Sequence, residues 1–177
     1  GIALSYSKYV LLLNSDTVVH RGMVDGLLAF MESHPEAAAV GPKVLNPDGS
    51  LQSKGGPLPS VTQTALDLCG IRKNKRLEKL TFKALPGHCW GEDDIRKVGC
   101  ISGCCMFIRA SVLKAIGGLD EALFFYWEEV EWCFRAHKSG HEIWYYPPVS
   151  IMHIGGMSTT SDIRGQIEQT ETSLRGV

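Results

Sequence analysis

The sequence predicts an α/β fold, and two observations carry that expectation. Residues 9–13 form a short continuous apolar run that stops abruptly at Asn14-Ser15-Asp16, the pattern of a strand buried on both faces. Further on, short apolar runs alternate with segments of helical spacing, as α/β architectures require. A chain of 177 residues builds one real core and is short for two ordinary domains, so residues 1–177 read as a single domain.

In open α/β sheets ligands bind beyond the carboxyl ends of strands, which is where Asp16 stands. A carboxylate there can hold a divalent cation that bridges to phosphate oxygens. The competing reading is that Asn14 and Asp16 only shape a turn or cap the next helix. Residues 21–33 then carry Met23, Leu27, Phe30 and Met31 at helical spacing, and His34-Pro35 ends that helix. Residues 37–40 are a second apolar run, which residues 43–45 extend. Asn46-Pro47-Asp48-Gly49 reads as a hairpin tip leading to residues 50–53.

Residues 54–60 read as loop and residues 61–71 as a short helix. The basic residues Arg72, Lys73, Lys75, Arg76 and Lys79 read as a solvated loop. Their alternative is a surface for anionic lipid or a phosphorylated acceptor, and so a peripheral membrane association. Residues 82–94 show little regular pattern. Residues 98–108 read as one strand, or as two segments with a bulge at Gly99 or Gly103 where another group approaches closely. Residues 111–116 predict a helix stopped by Gly117-Gly118.

Residues 128–139 are the strongest helix, with Val130, Phe134 and His137 on one face, Cys133 beside them and Gly140 as its C-terminal stop. Residues 143–146 predict a strand halted by Pro147-Pro148, and residues 149–154 another. The tail from 159 to 177 is polar.

Net charge is −1, against general nucleic-acid binding. No apolar run approaches the ~18 residues that span a bilayer, and no basic segment precedes an apolar leader core. Reduced thiols and a cytoplasmic setting are therefore expected, at the cytoplasmic face of a membrane if the basic segment meets lipid. The six cysteines make no Cys-x-x-Cys pair, so Cys104 and Cys105 read as small buried apolar residues rather than zinc ligands.

Two further groups carry chemistry. Glu128, Glu129 and Glu131 crowd the start of the strong helix, directly after Phe124-Phe125-Tyr126-Trp127. Acidic residues suit a helix N-terminus, and Glu131 can pair with Arg135 four residues on. An apolar wall beside a carboxylate also raises its pKa and makes a general base. His153, followed by Gly155-Gly156, can ligate a metal while the backbone approaches a phosphate, or can be structural.

The order of these motifs resembles the family 2 inverting glycosyltransferases of the GT-A fold, in particular their rhamnosyltransferase-like branch. The resembling segments are residues 9–17, 103–109, 117–121, 124–135 and 153–156. The resemblance implies a GT-A mixed sheet flanked by helices, and a metal-dependent transfer of sugar from a nucleotide-diphosphate donor. The donor it suggests is dTDP-rhamnose, and the acceptor a hydroxyl of a glycan or lipid-linked molecule in cell-surface polysaccharide synthesis. It implies Asn14 and Asp16 as the Asp-x-Asp-type motif, with Asp16 on Mg²⁺ or Mn²⁺ and His153 completing the metal site. Glu129 is the implied catalytic base. Trp127, Gly155 and Gly156 would serve the donor, and Gly103, Cys104 and Glu128 the acceptor side.

Three departures stand out. Asn14 replaces an Asp, and Glu129 stands where Asp is usual. The extra methylene displaces the carboxylate by about 1 Å, which matters for proton transfer. The family's first βαβ nucleotide-binding portion has no counterpart, so the chain reads as the C-terminal part of a GT-A domain. The alternatives are a non-catalytic carbohydrate- or partner-binding module on the same scaffold and a metal-dependent nucleotidyltransferase.

Overall fold

A computed structural model describes residues 6–59, 91–123 and 127–155. Expectations for residues 61–71, the basic segment, most of 82–94, residues 124–126, Gly156 and the C-terminal tail lie outside the described residues.

The strands are β1 (Tyr9–Leu13), β2 (Thr17–Val19), β3 (Ala37–Leu45), β4 (Leu51–Ser53), β5 (Arg96–Val98), β6 (Cys105–Arg109) and β7 (Glu142–His153). The helices are α1 (Met23–Ser33), α2 (Ala110–Ile116) and α3 (Glu128–Lys138). All seven strands form one sheet in the order β1-β6-β3-β7-β2, with β4 paired to β3 and β5 to β7. Only β3 and β7 run parallel; the other pairs are antiparallel. The mixed sheet expected from the resemblance is present.

Helices cover both faces. Met23, Leu27, Phe30 and Met31 of α1 pack with Ala37, Val40, Phe107 and Ile151 on one face. Val112 and Leu113 of α2 and Trp132, Cys133 and Ala136 of α3 pack with Met106, Ile108, Ile143 and Tyr145 on the other. The central strand β3 is buried from Ala37 to Pro42, and its small residues let helices approach from both sides. Each large side chain fully buried here stabilises the fold by about 1.5–3 kcal/mol.

The turn at Asn46-Pro47-Asp48-Gly49 closes the β3–β4 hairpin as expected. Gly49 takes φ +80°, and Asn46 N–H donates to Ser50 O at 2.8 Å. Helix α3 ends in a Schellman motif: Gly140, at φ +82°, donates to His137 O, and His141 N–H donates to Ala136 O.

Four expectations change. β1 touches apolar clusters on both faces, Val10 and Leu12 on one and Tyr9 and Leu11 on the other, yet it is only half-buried. It ends the described sheet, with β6 as its one described neighbour. Residues 98–108 are two strands in different parts of the sheet, β5 beside β7 and β6 between β1 and β3, joined by a loop. Gly99 in that loop does mark a close approach, since a Cβ there would lie 2.1 Å from Leu58 N. Pro147-Pro148 does not stop β7. Pro42 pairs with Tyr146 and Lys43 with Ser150, so residues 147–149 form a bulge in which the missing proline N–H groups cost no ladder bond. Helix α3 buries Trp132, Cys133 and Ala136 and leaves Phe134 exposed. The deciding contact is Trp132, whose indole N–H donates to Gly117 O at 3.0 Å while its ring enters the core.

Candidate active site

The site is assembled at the ends of β1, β2 and β7, beside the first turn of α3. Asn14 N–H donates to Cys104 O at 3.0 Å, and Thr17 Oγ donates back to Asn14 O at 2.7 Å. These bonds close a turn that reverses the chain into β2. That short strand pairs with β7 so that Thr17 faces His153, and Ile154 N–H donates to Asp16 O at 2.9 Å. Asp16 and His153, 137 positions apart in sequence, are thereby placed side by side.

Asp16 Oδ1 lies 3.2 Å from His153 Nε2, and both side chains are largely buried. The distance is that of a hydrogen bond, but Nε2 has no aligned hydrogen-bond partner. The other ring nitrogen, Nδ1, is engaged 2.7 Å from Gln52 Oε1. A carboxylate oxygen and an imidazole nitrogen at this distance could pair as ions, if the ring is protonated, or could hold a divalent cation between them. Among the described residues no group of three His, Cys, Asp or Glu side chains converges. Asp16 and His153 would thus supply two ligands to a cation held there.

The first turn of α3 also reaches this region, through Glu129 beside Gly103. Glu131 is occupied: both its oxygens accept from Arg135, at 2.6 and 2.7 Å. Arg135 also donates to Ile116 O and Gly118 O, tying α3 to the end of α2. The surface pairing allowed by the sequence is thus real, and it leaves Glu128 and Glu129 for other work. Glu128 Oε2 is buried without a hydrogen-bond partner. Glu129 lies against Gly103, where an added Cβ would sit 3.4 Å from its Cγ and Cδ. Burial first, and the neighbouring Glu128 charge after it, hold the Glu129 carboxyl above the usual Glu range.

Cys104 joins the two halves. Its carbonyl holds Asn14, and its thiol is raised by burial and further by the charges of Asp16 and Glu129, against a lowering contact from Ser102. A buried thiol so raised is no nucleophile. Cys105 behind it is pushed up to about 12 by burial.

A sequence profile of the glycosyltransferase-like family 2 matches residues 2–171. The chain belongs to this family. This family 2 chain is 28% identical over 162 residues to N-acetylglucosaminyl-diphospho-decaprenol L-rhamnosyltransferase of Mycobacterium tuberculosis, covering 87% of this chain and 49% of the relative. It is also 28% identical over 144 residues to the low-salt glycan biosynthesis hexosyltransferase Agl10 of Haloferax volcanii, covering 81% and 41%. The chain thus spans about half the length, or less, of these curated relatives. A solved structure, GalNAc-T7 with UDP, GalNAc and Mn²⁺, superposes with a TM-score of 0.56 at 12% identity, covering 95% of this chain and 31% of the other. That likeness shows the GT-A fold expected from the sequence.

Within the family 2 fold, the remaining expected site residues fall as follows. Trp127 precedes α3 with φ +77°, the one non-glycine positive φ among the described residues, and is 58% exposed. A strained backbone at a residue beside the acidic turn is typical of functional positions. Gly155 takes φ +68° next to Gln52 and His153. Asn14 is exposed and contributes the backbone bonds given above. Gly156 lies outside the described residues. Sequence reasoning missed Gln52, because a lone polar residue on a short exposed strand carries no periodic signal.

Proposed function

We propose that this chain supplies the metal, base and acceptor side of an inverting glycosyltransferase, which moves a sugar from a nucleotide-diphosphate donor to a hydroxyl of a glycan or lipid-linked acceptor. One observation carries the reading: a cation-type pair, Asp16–His153, and a carboxyl with raised proton affinity, Glu129, flank the same Gly103–Cys104 backbone. A divalent cation, Mn²⁺ or Mg²⁺, held by Asp16 and His153 would offset the charge of a departing nucleoside diphosphate.

Glu129 accepts the proton of the acceptor hydroxyl. The freed oxygen bonds to the anomeric carbon as the bond from that carbon to the phosphate oxygen breaks. The nucleoside diphosphate leaves with that bonding pair, and configuration inverts in one step. Partial burial keeps Glu129 basic enough for that role. Trp127, exposed at the mouth of α3, offers an apolar face to a sugar ring.

The rhamnosyl and decaprenol-linked chemistry in the name of the mycobacterial relative supports a rhamnose donor, taken here as dTDP-rhamnose, and a lipid-linked diphosphate sugar as acceptor. That acceptor favours cell-surface glycan assembly at the cytoplasmic face of a membrane. Among the described residues no helix is long and apolar enough to cross one.

The test is an assay of the full-length protein containing this sequence with a panel of nucleotide sugars, with and without Mn²⁺. Mn²⁺-dependent sugar transfer from a nucleotide donor is the expected result. Diphosphate release from nucleoside triphosphates would reassign the site to nucleotidyl transfer, and silence across donors and acceptors would leave a binding module.

A further inference from the structure

We infer that Gln52 is a positioning residue for His153. It fixes the imidazole as its Nδ1–H tautomer and so turns the Nε2 lone pair toward Asp16. The inference deepens the proposed function and rests on its assignment of the cation to Asp16 and His153.

The direction of every proton in the chain leading to His153 follows from donor and acceptor chemistry. The Asp48 carboxylate only accepts; it receives Ser50 Oγ at 2.6 Å and Ser50 N–H at 2.9 Å. These bonds hold the Asp48 carboxyl below its usual range, so it stays ionised. Ser50 Oγ, having spent its proton on Asp48, accepts from Asn46 Nδ2 at 2.9 Å. That orients the Asn46 amide with Oδ1 toward Gln52, where it accepts from Gln52 Nε2 at 2.9 Å.

Gln52 Nε2 also donates to His153 O at 3.1 Å, a backbone carbonyl that can only accept. Two independent acceptors therefore fix the same end of the Gln52 amide as its nitrogen. Its oxygen must be the atom 2.7 Å from His153 Nδ1, and that atom cannot donate. Nδ1 therefore carries a proton, and in the neutral ring, the form that can take a cation, Nε2 is the lone-pair nitrogen 3.2 Å from Asp16 Oδ1.

The β3–β4 hairpin thus sets the ligating atom of a histidine on β7. Outer partners of a metal-bound histidine fix its tautomer and typically change metal affinity by about 10- to 100-fold. Gln52 is solvent-exposed, so the low end, about tenfold, is expected.

The experiment is a titration with Mn²⁺ alone, followed by loss of the free-ion EPR signal, on the full-length protein and its His153→Ala, Gln52→Met and Gln52→Glu variants. Long-range ¹H–¹⁵N spectra of the histidine rings at alkaline pH accompany it. His153 should be the Nδ1–H tautomer in the parent and a mixture in Gln52→Met, with Mn²⁺ affinity down about tenfold. Gln52→Glu keeps the acceptor at Nδ1 and loses both donors. Restored tautomer and affinity in that variant mark positioning, whereas a role in bracing the hairpin would be lost equally in both. If Gln52→Met retains parental affinity while His153→Ala loses it, or if the parent is Nε2–H, the inference is overturned and the metal assignment stands. If His153→Ala binds Mn²⁺ as the parent does, the metal assignment itself fails, and the inference with it.

Discussion

A methyl group placed on Gly103 would sit 3.4 Å from both Cγ and Cδ of Glu129. That is ordinary contact, and Gly103 shows no positive φ, so Gly103→Ala should fold with little loss of stability. Its side chain would still lean on the carboxylate. The expected loss in kcat is under about tenfold for Ala and about 100-fold for the larger Gly103→Val, since small misplacements of a proton acceptor are costly. Kinetics with thermal melts on both variants checks this. Equal activity in Ala and Val would remove Gly103 from the site.

Glu129→Gln should lose transfer by about 10²- to 10⁴-fold while nucleotide binding, measured by calorimetry, stays close to parental. Its stability should not fall. A carboxyl raised on folding binds more protons in the folded than in the unfolded chain, so its effect on stability worsens as pH rises through the interval between the two values. A neutral amide removes that cost, and the melting temperature at neutral pH should be unchanged or higher. A clear drop would mean that Glu129 holds the fold rather than serving the reaction.

With Glu129 as the base of the proposed reaction, the same carboxyl should set the acid limb of the pH–rate profile. Burial raises Glu129 first, and the Glu128 charge adds to it. The limb in kcat/KM should therefore lie above the ordinary Glu range, and Glu128→Gln should move it to lower pH by removing the neighbouring charge. A limb that moves upward, or stays where it was, would assign the proton acceptor elsewhere.

Much of this arrangement was legible in the sequence, and what escaped has physical causes. An apolar run ending in Asn14-Ser15-Asp16, an acidic helix start and a histidine before a glycine pair were each ambiguous alone. Their order made them one site. Three-residue β2 was too short to read as a strand, yet its pairing with β7 is what brings Asp16 to His153. Pro147-Pro148 obeyed the rule for strand breakers only in part, because a bulge absorbed them. In α3 the spacing pointed to the face of Val130, Phe134 and His137. Tertiary packing chose the one with Trp132 and Cys133, a choice made by α2 and the sheet rather than by the helix itself. Gln52 gave no signal, since its role lies in the direction of one hydrogen bond across the hairpin.

Arg135 should matter to stability more than a surface ion pair does. Its side chain is about one-quarter exposed, holds Glu131 in a two-bond fork, and donates to the carbonyls of Ile116 and Gly118. Removing it leaves those acceptors without their donor. Arg135→Ala should cost about 2–3 kcal/mol in urea unfolding. Lys cannot reproduce the planar fork and should restore only part of that. Full recovery with Lys would show that charge alone is used.

Gly26 in α1 poses a contest of two effects. Glycine inside a helix costs about 1 kcal/mol relative to alanine, so Gly26→Ala would be expected to stabilise. An added Cβ, however, would lie 2.5 Å from Cγ1 of Val149, in the bulge that carries β7 past its prolines. Overlap of that depth forces a shift at the α1–β7 contact, and overpacking typically costs about 1–3 kcal/mol. The clash should win, leaving Gly26→Ala less stable than the parent. Val149→Ala removes the opposing methyl, so the double variant should recover part of the loss, with a coupling energy of at least about 0.5 kcal/mol in a double-mutant cycle. Strict additivity would mean that the helix does not rest on Val149.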